Sequence, residues 1–183
     1  MIVLLTGERG TGKTTACRRL VELGRQRGLR PGGILAPARF DAAGVKDGIT
    51  LVDVAGGEER LQGSTVRDLG GPTVGPFFMD AGVLEWGVAT VARGVEAHLD
   101  LLIVDEIGPL ELWRDGGFAP LLAVARQHAG LNWLLVVRPE LVAELECRLA
   151  PIPAAVYTLS HACRDEAPAE LAAMFWGWQG LPT

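Results

Sequence analysis

The sequence predicts an α/β fold with a parallel core sheet, and three observations predict it. Residues 7–14, Gly7-Glu8-Arg9-Gly10-Thr11-Gly12-Lys13-Thr14, spell G-x-x-x-x-G-K-[ST] between an apolar run and a helical pattern. That strand–loop–helix context is the one a phosphate-binding loop needs. Leu101-Leu102-Ile103-Val104 and Trp133-Leu134-Leu135-Val136-Val137 are continuously apolar, as strands buried on both faces are. Such runs alternate along the chain with segments of helical periodicity, as in a βαβ succession.

Ile2-Val3-Leu4-Leu5 is the first strand. Residues 15–23 place apolar side chains at helical spacing, with Gly24 and Gly28 as stop signals. Residues 32–38 form a second strand, 41–44 and 47–48 are turns, and 49–54 alternate, so 32–54 reads as a hairpin. Residues 55–72, rich in glycine and charge, read as loop, and 73–79 as an extended piece. Asp80 caps a helix running to about residue 98, with Val83, Leu84, Val88, Val91, Ala92 and Val95 on its apolar side. Helices follow at 118–128 and at 139–149, the second with Pro139 in its first turn. Residues 155–159 are the last strand and 165–178 the last helix. No repeat, low-complexity tract or linker interrupts the chain, so the expectation is one domain over residues 1–183.

Composition narrows the function classes. The chain has 183 residues, 49% of them hydrophobic, enough for a sizeable core. No apolar run reaches the roughly 18–20 residues of a membrane span. The first residues lack the charged region of a signal peptide. Cys17, Cys147 and Cys163 are scattered, as reduced thiols of a cytoplasmic protein would be. His98, His128 and His161 form no ligand spacing. Net charge is −5, against nucleic acid as the main partner. The arginines of residues 1–40 lack the interleaved aromatics of a stacking platform. Phe175-Trp176-Gly177-Trp178 is a candidate dimer patch, so the expectation is a monomer or weak homodimer.

The chemistry-bearing residues fall in two places. In the loop, Gly7, Gly10 and Gly12 let successive N–H groups converge on phosphate oxygens. The backbone of Glu8, Arg9, Gly10, Thr11 and Gly12, with Lys13, Thr14 and Thr15, makes the nucleotide-binding set. Lys13, one of two lysines in the chain, brings charge to the β- and γ-phosphates, and the Thr14 hydroxyl is placed for Mg²⁺. The second place is Asp105-Glu106 at the end of a buried strand, where ligands of open α/β sheets bind. Asp105 is the second Mg²⁺ candidate. Glu106 is the candidate for activating an attacking water. Asp105-Glu106-Ile107-Gly108 also fits D-x-x-G, but no Asn-Lys-x-Asp follows to read guanine. Positive charge near the γ-phosphate has four candidates. Arg138 is the best placed, at the end of strand 133–137; Arg164, Arg114 and Arg9 are the others.

These motifs resemble the small P-loop nucleoside-triphosphatases of the thermophilic and human cancer-related type. The resemblance rests on residues 103–112 (Ile-Val-Asp-Glu-Ile-Gly-Pro-Leu-Glu-Leu), residues 74–80, residues 51–55 and His161-Ala162-Cys163-Arg164-Asp165, and it runs from the P-loop to about residue 170. It implies a RecA-like, mostly parallel sheet flanked by helices with an added β-hairpin. It also implies Mg²⁺-dependent hydrolysis of ATP, GTP and other nucleotides, with Glu106 activating water. Pro76 stands where the family motif has lysine, and Cys163 where it has asparagine. Two other classes stay open: a nucleotide or cofactor kinase, and a nucleotide-binding accessory protein of the molybdopterin-assembly kind with negligible turnover.

Overall fold

The computed structural model describes residues 1–178. The elements in chain order are β1 (Ile2–Thr6), α1 (Lys13–Gln26), β2 (Pro31–Leu35), β3 (Ala38–Phe40), β4 (Lys46–Asp53), β5 (Glu59–Ser64), β6 (Thr73–Val74), β7 (Phe77–Met79), α2 (Ala81–Glu96), β8 (Leu101–Ile107), α3 (Pro109–Arg114), α4 (Pro120–Gln127), β9 (Trp133–Val137), a 3-10 turn (Pro139–Leu141), α5 (Val142–Leu149), β10 (Ala154–Thr158) and α6 (Ala167–Trp176). One ten-stranded sheet runs in the order β10-β1-β9-β8-β2-β4-β5-β7-β6, with β3 paired to β4. Strands β10, β1, β9, β8 and β2 pair in parallel, and β2 turns the sheet antiparallel by pairing with β4. The parallel core carries the site, and the five strands beyond β2 form the antiparallel wing, the added hairpin enlarged.

The core strands are apolar without alternation because both faces are covered. Val3, Leu5, Ile103, Leu134 and Val136 pack under α1 and α6, against Leu20 and Leu171. Leu4, Leu102, Val104, Trp133, Leu135 and Val137 pack on the opposite face under α2, α4 and α5, against Val91, Leu121 and Leu145. Neighbours along each strand thus serve opposite layers. No helix among the described residues is long and apolar enough to cross a membrane.

Three sequence expectations are corrected. Residues 55–72 are not all loop. The mostly polar residues 59–64 form β5, because its backbone pairs with β4 on one side and β7 on the other, and that pairing outweighs weak strand propensity. Gly24 does not stop α1; it is buried inside the helix, where the Trp176 ring closes on it, and the turn comes at Gly28 with φ 76°. The helix expected at 139–149 opens as a 3-10 turn, and residues 109–114 form a short helix that was not expected. Of the candidate dimer patch, Phe175 is buried and Trp176 and Trp178 are partly buried against the core, with the Arg27 guanidinium 4.0 Å from the Trp178 ring centre. Asp80 caps α2 as expected, its carboxylate accepting from Val83 N at 3.0 Å.

Gly33 makes the β2–β8 pairing possible. Its φ is 97°, and a Cβ there would collide with the backbone of Ile103 on the neighbouring strand. Gly33→Ala is expected to cost more than about 3 kcal/mol, read as a lower urea midpoint at unchanged slope.

Candidate functional site

The C-terminal ends of the parallel strands carry the site. β1 ends at Thr6, and the chain turns through Gly7, Gly10 and Gly12 with φ of 148°, 84° and 97°. Gly7 passes so close to the Leu159 carbonyl that no side chain fits. The Thr11 hydroxyl donates to Glu8 O at 2.8 Å and closes the loop. α1 begins at Lys13 with no capping side chain, so its first-turn N–H groups are available to an anion. Lys13 Nζ donates to Gly7 O at 2.6 Å and to Glu8 O at 3.0 Å, which lays the ammonium across the loop. Burial lowers the Lys13 pKa from its ordinary value, opposed by the negative charges of Asp105 and Glu106.

Asp105 is the junction of three elements. Its side chain is buried at the end of β8, and Oδ2 accepts from Thr14 Oγ1 of α1 at 2.8 Å and from Ala36 N after β2 at 3.0 Å. Burial pushes its pKa up to about 6, against the two hydrogen bonds, which favour the carboxylate. A hydroxyl and a buried carboxylate sharing one point are hard oxygen donors. Mg²⁺ is typically held by one or two such protein oxygens together with substrate phosphates, so the donor set fits that ion. Among the described residues no group of three or more His, Cys, Asp or Glu gathers as a metal cage.

Glu106 has φ 78°, and the register between β8 and β9 shifts between Val104 and Ile107. The irregularity turns the Glu106 side chain out at the strand end, a use of bulges common beside functional sites. Its Oε1 lies 3.8 Å from an Arg138 guanidinium nitrogen; both side chains are about half exposed. Adjacent ends of β8 and β9 thus bring together two residues 32 positions apart. At that exposure the pair adds little to stability.

The other candidates scatter. Arg9 and Thr15 are exposed on the loop and the first helical turn. Arg114 donates to Thr73 O at 3.1 Å. Arg164 is exposed, and among the described residues no hydrogen bond or ion pair joins it to the P-loop. Its neighbour Asp165 is held by Arg19 of α1 at 3.0 Å, and the Cys163 thiol lies 3.3 Å from Ser160 N and Oγ.

Two participants escaped the sequence reading. Ala36 contributes only its N–H, which no side-chain pattern reveals. Glu111 is buried, with one carboxylate oxygen accepting from Gly108 N at 2.9 Å and the other from Phe118 N at 3.1 Å. Its signal was a glutamate three residues after Gly108, in the first turn of a Pro-started helix.

Comparisons with known proteins give the family and the fold. A family model described as NTPase matches residues 2–172. Nucleoside-triphosphatase THEP1 of Methanothermobacter thermautotrophicus is 34% identical over 112 residues, 61% of this chain and 63% of that protein. The chain thus spans less than two thirds of that relative's length. Nucleoside-triphosphatase THEP1 of Thermofilum pendens is 29% identical over 170 residues, 92% of each chain. The crystal structure of THEP1 from the hyperthermophile Aquifex aeolicus superposes with a TM-score of 0.75 at 20% identity, covering 96% of this chain and 99% of that one. This last likeness is one of fold.

Proposed function

The chain belongs to the NTPase family, and from that premise we propose that it is a Mg²⁺-dependent nucleoside-triphosphatase cleaving the β–γ bond of ATP or GTP. The observation that carries this reading is the 2.8 Å hydrogen bond from Thr14 Oγ1 to Asp105 Oδ2. It unites the end of the phosphate loop with the acid of a distant strand, the pair that holds the metal in P-loop enzymes.

The backbone of residues 8–14 cradles the phosphates, helped by the first turn of α1 through Thr15. Lys13 exchanges its contacts with the Gly7 and Glu8 carbonyls for β- and γ-phosphate oxygens. Thr14 and Asp105 would hold Mg²⁺, which would neutralise charge developing on the phosphates. Glu106 orients a water and accepts its proton at a carboxylate oxygen. Arg138, beside Glu106, brings positive charge to the side where the γ-phosphate leaves. Arg164 is the candidate contact from the turn before α6, which the Arg19–Asp165 pair anchors to α1. The continuous sheet supports a single P-loop domain. The net charge of −5 supports free nucleotides over nucleic acid as the partner, and the three free cysteines suit the cytoplasm; the expected state is a monomer or weak homodimer.

The test is phosphate release by the purified protein with Mg-ATP and Mg-GTP. Lys13→Ala is expected to lower the rate at least about 100-fold, the scale of losing one transition-state charge contact. Nucleotide bound without phosphate release would overturn hydrolysis in favour of an accessory protein. Transfer of the phosphate to a small acceptor would make it a kinase.

A further inference from the structure

We propose that Glu111 is a positioning residue for hydrolysis: its buried carboxylate ties together two backbone segments and thereby holds Glu106 in its strained conformation. The proposal rests on Glu106 as the water-activating group.

A non-glycine residue at φ 78° persists only where its surroundings over-determine it. Glu106 is fixed from both sides. Before it, Asp105 is held by Thr14 and Ala36. After it, Ile107 is buried and Gly108 N is bound by Glu111 Oε2. Glu111 Oε1 is bound in turn by Phe118 N, at the entry to α4. The segment leaving β8 is therefore fastened, through one carboxylate, to the chain that enters the next helix. A buried carboxylate is costly unless its hydrogen bonds are made, and here each oxygen has a backbone donor.

The surrounding loop is shaped to this carboxylate. Gly117 has φ 54°, and a Cβ on it would collide with Glu111 Oε1; a Cβ on Gly116 would meet Leu110 at 2.9 Å. A cap for α3 alone would require neither the Phe118 bond nor the close approach of Gly117, and α3 is only six residues long. Glu111 is buried, so it acts through Glu106 and not on the substrate.

Glu111→Gln keeps the shape but turns an amide NH₂ toward one of the two N–H donors. Its kcat is expected to fall about 10- to 100-fold, the scale of losing an outer-shell partner, with the Kd for Mg-nucleotide nearly unchanged. Gly117→Ala presses on Oε1 of the same carboxylate and is expected to lower kcat likewise. Because both act through one carboxylate, the double variant is expected to be no slower than the slower single variant. Glu111→Asp, which retains two acceptor oxygens, is expected to recover part of the rate. Rates are taken per nucleotide-binding site, so loss of folded protein does not count, and Gly117→Ala carries the test if Glu111→Gln does not fold. Wild-type kcat, multiplying effects in the double variant, or a rise in Kd matching the fall in kcat would overturn the proposal. If Glu106→Gln also turns over at the wild-type rate, the reading beneath it fails. If Glu106→Gln is inactive while Glu111→Gln is not, only this inference fails.

Discussion

Replacing Glu106 by glutamine is expected to lower kcat by about 10²- to 10⁴-fold, the range of general-base contributions, with Kd for Mg-nucleotide nearly unchanged. The exchange preserves size and backbone and removes the ability to take a proton. The side chain is about half exposed and its nearest charged partner is Arg138 at 3.8 Å, so folding has little stake in it. Single-turnover phosphate release separates the chemical step from product release. A wild-type rate would remove Glu106 from the reaction. The backbone gives a second readout. A left-handed conformation costs an L-residue about 1–2 kcal/mol, and glycine adopts it freely at some entropic cost. Glu106→Gly is therefore expected to unfold at a urea concentration equal to or higher than the wild type's while hydrolysing no faster than Glu106→Gln. That combination would show strain held for function, not for folding.

The parts of this protein that were legible in its sequence are those whose physics is local. The P-loop is readable because Gly7, Gly12, Lys13 and Thr14 must fall at fixed spacing, and Gly7 and Gly12, with Gly10 between them, adopt positive φ. β8 and β9 are readable because burial on both faces demands unbroken apolar runs. Asp80 was readable as a cap because its work is done three residues away. The illegible parts depend on partners distant in sequence. β5 is a strand only because β4 and β7 flank it, and Gly24 sits inside a helix because Trp176, some 150 positions on, needs the space. At the site the same division holds. Asp105 and Glu106 announce themselves at the end of an apolar run. The strain at Glu106, the N–H of Ala36 and the two bonds of Glu111 arise only once the loops after β2 and β8 have met.

Asp105→Asn is expected to make the nucleotide-free protein more stable at pH 7 while abolishing metal-dependent turnover. Burial pushes the Asp105 carboxyl up to a pKa of about 6 in the folded protein, against an ordinary value of 3.8. Between about pH 4 and 6 the folded chain therefore keeps a proton that the unfolded chain has released. Stability falls as pH rises through that window and levels off above it. Two pKa units at about 1.4 kcal/mol each set an upper bound of about 3 kcal/mol on this cost at neutral pH. Asparagine carries no charge to desolvate, and its oxygen can still accept from Ala36 N and Thr14 Oγ1. Urea midpoints from pH 4 to 8 are thus expected to slope downward for the wild type and to lie flatter for Asp105→Asn. Mg-nucleotide, which favours the ionised carboxylate, is expected to stabilise the wild type more at pH 8 than at pH 5 and to stabilise the variant much less. Parallel slopes in wild type and variant would mean that another group titrates. Full Mg²⁺ dependence of turnover in the variant would remove Asp105 from the metal site. Meeting both expectations would show why an ionisable group is kept in so apolar a place: the charge that weakens the empty fold is the charge that binds the metal.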